Sequence, residues 1–145
     1  MSDLLIDPPE LADLLAAEDP DERPVLLDIR WSLGAPPEEN RADYLAGHLP
    51  GAAFVAMKPG LAGQPAEDGR GGRHPMPRLV DAQEAFRAAG VTDVRPVVVY
   101  DGATSVGAAR AWWLLNFFGK DEVRVLDGGY AAWLAAGLPI ETGEP

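Results

Sequence analysis

The stretch VVVYDGATSVGAARAWWLL, residues 97–115, decides how this chain is read. Four consecutive apolar residues, Val97–Tyr100, make the most strand-like run in the sequence. A loop of small residues follows, and a strongly apolar helix is expected over residues 107–119, stopped by Gly119. A continuous apolar strand is the mark of a sheet buried on both faces. Strand, tight loop and helix in this order place the loop at the strand's C-terminal end, where α/β proteins bind ligands. The loop opens with Asp101 and holds no cysteine, histidine, lysine or arginine before Arg110.

Outward from this unit the same alternation recurs. Residues 24–30 (PVLLDIR) and 123–126 (VRVL) read as buried strands, and 52–57 (AAFVAM) as a further one. Helices are expected over residues 8–17, 81–90 and 130–137, with a short helical segment around 39–46. The first has prolines at its start. The second has Asp81 and Glu84 spaced as a capping box and Gly90 as its stop. Residues 58–78 are rich in Gly and Pro and read as one long loop, longer than a compact domain usually carries without a task. Apolar strands alternating with helices predict a small open parallel β-sheet flanked by helices on both faces, an α/β fold. At 145 residues the chain is one domain, 1–145. Asp28, Arg30, Asp101 and Asp127 all fall at or just beyond strand ends.

Composition narrows the chemistry. Twelve Lys+Arg against 23 Asp+Glu give a formal charge of −11, with no basic cluster in sequence, which argues against nucleic acid as a partner. No apolar run is long enough to cross a bilayer, so no membrane partner is expected. The N-terminal MSDLLIDPPE has neither basic head nor apolar signal core, so a cytoplasmic location is the expectation. With no cysteine and only His48 and His74, thiolate chemistry and a His-rich zinc site are excluded; carboxylates could still bind magnesium, but no metal site or cofactor is expected. The glycine pattern of a nucleotide phosphate loop is absent. Ser105 lies in ATSVG rather than in a nucleophile elbow.

Backbone N–H groups of a loop turning into a helix can cradle an anion, but Asp101 at the mouth of this one repels an incoming anion. Its own carboxylate is expected to satisfy those N–H groups. Asp101 as a covalent nucleophile is chemically allowed and needs a metal or cationic partner. His48, followed by Leu-Pro-Gly, is expected to fix a turn through its ring. Of the adjacent Trp112 and Trp113, one must point away from the main buried face of its helix.

Five motifs in this order resemble a rhodanese-like domain: LLDIR (26–30), YLAGHLPGA (44–52), VVVYDG (97–102), AARAWWLL (108–115) and VRVLDGGYAAW (123–133). The resemblance runs from about Leu5 to Pro139, and RHPMP fits the family's long loop. It is strongest to the N-terminal half of the two-domain thiosulfate and 3-mercaptopyruvate sulfurtransferases. The family moves a sulfane sulfur from a donor to a cysteine, then to a thiophilic acceptor such as cyanide or a thiol. The resemblance places the cysteine position at Asp101 and makes Asp101, Gly102, Ala103, Thr104, Ser105 and Val106 a vestigial active-site loop. N-terminal domains of the two-domain members characteristically carry Asp there, so no catalytic residue is expected in this chain.

Within the matching motifs, structural roles fall to Asp28, Arg30, His48, Gly51, Arg110, Asp127, Gly128 and Gly129. Asp28 is expected to hydrogen-bond loop backbone near His48, and Arg30 to pair with a buried carboxylate. The resemblance further implies a cysteine-bearing C-terminal rhodanese-like domain as partner, with a small anion at the vestigial loop as a candidate ligand. Trp31, His74, Met76, Trp112 and Trp113, with Phe117 or Phe118, are candidates for the domain interface. A stand-alone binding or regulatory module is the alternative.

Overall fold

A computed structural model describes residues 4–145. The strands are β1 (Leu5–Ile6), β2 (Val25–Asp28), β3 (Ala53–Phe54), β4 (Val97–Tyr100) and β5 (Val123–Leu126). They form one all-parallel sheet in the order β1-β5-β4-β2-β3. The helices are α1 (Pro8–Leu15), α2 (Pro37–Ala46), α3 (Leu79–Ala88), α4 (Val106–Phe117) and α5 (Gly129–Ala135).

The central strand shows why the sheet needs cover on both sides. Successive side chains of a strand point to opposite faces. Val97 and Val99 therefore enter a core with Ala82 and Phe86 of α3 and Ala111 and Leu114 of α4. Val98 and Tyr100 enter a second core with Leu11 of α1 and Trp133 of α5. All four β4 side chains are buried, and a run of apolar residues without alternation is the result.

Several boundaries differ from those expected. The strand read at 52–57 pairs only over Ala53–Phe54, because β3 lies at the sheet edge beside Leu27 and Asp28 alone. The segment Met57–Leu61 then coils irregularly, with Lys58 extended at φ −114, ψ 139. Helix α3 starts at Leu79, two residues before Asp81, and its N-cap Arg78 makes no side-chain capping bond. Asp81 sits inside the first turn, where its charge favours the helix's positive end, so the capping box does not form. Gly90, at φ +96, follows the C-cap Ala89 and ends the helix as expected. Strand β1 was not anticipated: two residues are too few to show a pattern, and register with Val125 and Leu126 defines it.

The long loop is held down by one side chain of α4. Arg110 Nε donates to the Leu61 carbonyl (2.9 Å), and its Nη2 donates to the carbonyls of His74 (2.8 Å) and Pro75 (3.0 Å). A cation with three backbone acceptors needs no carboxylate. The 62–78 excursion is thereby tied to the helix that follows the Asp101 loop.

Candidate functional site

Asp101 leaves the C-terminal end of β4 and is buried, at 3% exposure. Its carboxylate turns back into the loop that it opens. Oδ1 accepts from the Ser105 amide and Oδ2 from the Ala108 amide, both at 3.0 Å. These are charge-assisted bonds to N–H groups at the start of α4, where a helix favours negative charge. Ser105 adopts φ +66, the only non-glycine residue with positive φ among the described residues. That conformation curls residues 101–106 around the carboxylate. Gly102, Ala103 and Thr104 form the exposed crest of the loop.

The start of α5 clamps this loop from the side. The amides of Tyr130 and Ala131 donate to the carbonyls of Asp101 (2.8 Å) and Gly102 (2.9 Å). Gly129, at φ +61, makes the approach possible. A Cβ there would lie 2.5 Å from the Asp101 carbonyl oxygen. Gly128 is also left-handed, at φ +80. Asp127 stands apart from this cluster, with an exposed side chain and its amide bonded to Ile6.

Beneath the loop lies a second polar cluster. Asp28 is fully buried at the end of β2. Arg30 Nε stands 3.2 Å from its Oδ1, an ion pair whose atoms are not aligned as a hydrogen bond. The Arg30 guanidinium also donates to the carbonyls of Asp43 (3.1 Å) and Gly47 (2.5 Å) and lies 4.2 Å from the Tyr130 ring centroid. Burial pushes Asp28 up from 3.8 to about 6, against the opposing pull of Arg30 and of the neighbouring Tyr100 hydroxyl. Burial, then the Asp28 charge, raises Tyr100 in turn.

Arg30 thus pairs with a buried carboxylate, as expected. Asp28, however, does not bond the backbone near His48. That backbone is taken by Arg30 at Gly47 and by the Tyr100 hydroxyl, which accepts from the Leu49 amide at 3.1 Å. The reason is reach: Asp28 has one short side chain, and the arginine beside it spans to α2's end.

His48 is buried with each ring nitrogen 3.0 Å from a carbonyl, Nδ1 from Leu49 and Nε2 from Gly143. The neutral ring can donate to one of them and the imidazolium to both. The ring stacks on Tyr44 at 4.2 Å between centroids. Gly51, at φ +76, closes the same turn, and its amide donates to Glu141 Oε1 at 2.8 Å.

The candidate interface residues divide. Trp112 and Phe118 pack against the core, whereas Trp113 and Phe117 are exposed, at 46% and 60%. The two exposed rings stack at 5.1 Å, and Val106 is exposed on the same helix. Met76 is exposed on the long loop. Trp31 and His74 are half-buried and meet edge to face at 5.0 Å. They line a cavity of about 410 Å³ with Arg30, Lys58 and Arg73, and no acidic side chain lines it. Burial, then Lys58, Arg110 and Arg73, lowers the pKa of His74. Sequence reasoning missed Lys58, Arg73 and Tyr100. The first two lie far apart in a Gly- and Pro-rich loop, and the last reads as one more apolar strand residue.

Residues 7–136 match the family described as rhodanese-like domain. The chain belongs to that family. The rhodanese-like domain is 45% identical, over 97% of its length, to a putative thiosulfate sulfurtransferase, SseB, of Mycobacterium tuberculosis, and covers 47% of that protein. It is 41% identical over 92% of its length to a probable 3-mercaptopyruvate sulfurtransferase of Pseudomonas aeruginosa, covering 46% of it. It superposes on a 3-mercaptopyruvate sulfurtransferase from Leishmania major with TM-score 0.83 and 31% identity, over 98% of this chain and 37% of that one. The chain therefore spans about half the length of these curated relatives.

The Asp28 shift has a consequence for stability. The folded domain holds the Asp28 proton up to about pH 6, the unfolded chain only to its ordinary value of 3.8. Between these values the folded state binds more protons, so this group's stabilising contribution is fully present below 3.8 and is lost as pH rises through 6. Urea unfolding of the wild type and Asp28→Asn at pH 4, 5, 6 and 7 is expected to show the wild type losing ground to the variant with rising pH. A pH-independent difference contradicts this assignment.

Proposed function

We propose that this rhodanese-like domain is the non-catalytic half of a sulfurtransferase acting on thiosulfate or 3-mercaptopyruvate. Its task is to support and help close the active cleft of a cysteine-bearing C-terminal domain. The observation that carries this reading is the Asp101 carboxylate bonded to the Ser105 and Ala108 amides. The position given to the sulfur-carrying cysteine by family resemblance is here filled by a group that accepts the cradle's N–H bonds itself. A carboxylate cannot form a persulfide, and the chain has no cysteine elsewhere.

In the parent reaction, the partner domain's thiolate attacks the outer sulfur of thiosulfate, whose S–S bond breaks with release of sulfite. With 3-mercaptopyruvate it attacks the thiol sulfur, whose C–S bond breaks with release of pyruvate as its enolate, which takes up a proton. Either way the cysteine becomes a persulfide. A thiophilic acceptor then removes the sulfur from the cysteine persulfide and restores the thiolate. This domain supplies no atom to either step. The relatives' length supports a partner of similar size, and the stacked Trp113–Phe117 pair gives it an apolar face to cover. Apolar patches of this kind mark interaction sites, and aromatic residues dominate such contacts. The Lys58–Arg73–His74 cavity offers positive potential within an acidic chain, which suits a cleft that admits anionic donors.

Purified chain 1–145 is expected to form no thiocyanate from thiosulfate and cyanide above the uncatalysed rate. Asp101→Cys is expected to gain a sulfur atom in intact-mass measurements after thiosulfate treatment while turnover stays low, because ATSVG lacks basic groups to hold the donor. Thiocyanate production by the wild-type chain would sink the reading.

If the parent gene encodes a second rhodanese-like domain, hydroxyl-radical footprinting should show Trp113 and Phe117 labelled in chain 1–145 and protected in the longer protein. Equal labelling in both assigns α4 to solvent and removes it from the domain interface.

A further inference from the structure

A second cavity, of about 470 Å³, lies at the opposite edge of the sheet, where β2 begins. It is bounded by the C-terminal ends of α1 and α3, the Pro50–Gly51 turn and the side of α5. Its volume is within the range of small-molecule sites, roughly 300–1,000 Å³. Four residues of strand, at about 3.3 Å each, separate the β2 and β4 starts from the edge that carries Asp101. An occupant here is out of reach of sulfur chemistry on that edge.

The walls are apolar apart from two guanidiniums, Arg23 and Arg95, and no carboxylate is among the lining residues. Both arginines are fixed by backbone rather than by acids. Arg23 Nε donates to the Ala17 carbonyl (2.6 Å) and its Nη2 to that of Glu18 (3.2 Å). Arg95 Nε donates to the Arg23 carbonyl (2.9 Å) and its Nη2 to that of Pro24 (3.3 Å). Among the described residues, the bonds of both side chains run from Nε and Nη2 and none from Nη1, and neither residue makes an ion pair. The nearby Glu141 carboxylate is engaged by the Gly51 amide and lies outside the lining.

Neither guanidinium makes an ion pair among the described residues, although Glu18, Asp19, Asp21 and Glu22 adjoin Arg23 in sequence. Neutral carbonyls orient the arginines and leave their charge available. Guanidiniums bind carboxylates through paired N–H bonds, and such bonds are stronger beside an apolar wall that excludes water. Leu15, Leu26 and Trp133 belong to that wall.

We propose that this cavity binds a small amphipathic carboxylate, its apolar body against the α1–β2–α5 wall and its carboxylate on Arg23 and Arg95. Two cations match one or two negative charges, and the apolar lining requires a hydrocarbon or aryl body rather than a bare inorganic anion. The site is distinct from the Asp101 loop and from the Lys58–Arg73–His74 cavity, so its ligand acts as an effector or a carried molecule.

The test is a titration of the ¹⁵N-labelled chain with 4-phenylbutyrate, followed by amide shifts, with 4-phenylbutanamide and inorganic phosphate as controls. Saturable shifts are expected at Leu26, Gly51 and Gly90, with the amide analogue at least about tenfold weaker and phosphate weaker still. Arg95→Gln should weaken phenylbutyrate binding by about tenfold. Ala16→Phe, a change at an exposed rim position, should block the cavity, and it carries the test if Arg95→Gln does not fold. The proposal is overturned by an absence of saturable shifts at these amides, by equal binding of the carboxamide or of phosphate, or by shifts confined to the Lys58–Arg73–His74 cavity. Wild-type affinity in Ala16→Phe overturns it as well.

Discussion

The Asp101 carboxylate between the Ser105 and Ala108 amides is the contact on which the rest of this site depends. It ends a buried strand and begins a helix. A strand's end leaves the chain pointing at water, and a helix's start leaves N–H groups without acceptors. One side chain answers both conditions. The left-handed Ser105 follows from this geometry, since the loop must close on a carboxylate rather than open toward a ligand. Gly129 follows too, because the start of α5 packs against the Asp101 carbonyl at a distance that a Cβ would violate.

A second layer supports the first. Asp28, Arg30 and Tyr100 sit at the same edge of the sheet, and Arg30 ties it to the end of α2. His48 ties the following turn to Gly143 near the C-terminal end of the sequence. Buried ion pairs give little net stability against well-packed apolar residues. Their worth here is positional: they fix two loops and the final segment relative to β2 and β4. Of the twelve Lys and Arg residues, eight make no ion pair among the described residues, and three of these, Arg23, Arg95 and Arg110, are held by backbone carbonyls instead. Asp28 and Asp101 are the carboxylates buried among the described residues.

Much of the fold was legible because buried parallel strands have a plain signature. VVVY and VRVL match β4 and β5 to the residue, and Asp101 could be placed at a strand end from pattern alone. Trp112 and Trp113 had to face differently, and they do. Illegible were features set by tertiary pairing. The two-residue β1 exists through β5, β3 is shorter than its apolar run, and α3 starts before its apparent cap. In the site, the partner of the His48 turn was misassigned because reach across space decides between Asp28 and Arg30. Lys58 and Arg73 escaped notice because the fold, not the sequence, brings them beside His74.

Amide hydrogen exchange at Ser105 and Ala108 tests the central claim most directly. The account predicts slow exchange at both in the wild type. It predicts a marked acceleration at these two amides in Asp101→Ala, while protection along β4 and β5 is retained. Fast exchange at both amides in the wild type, or no change on removing the carboxylate, would contradict a cradle filled by Asp101.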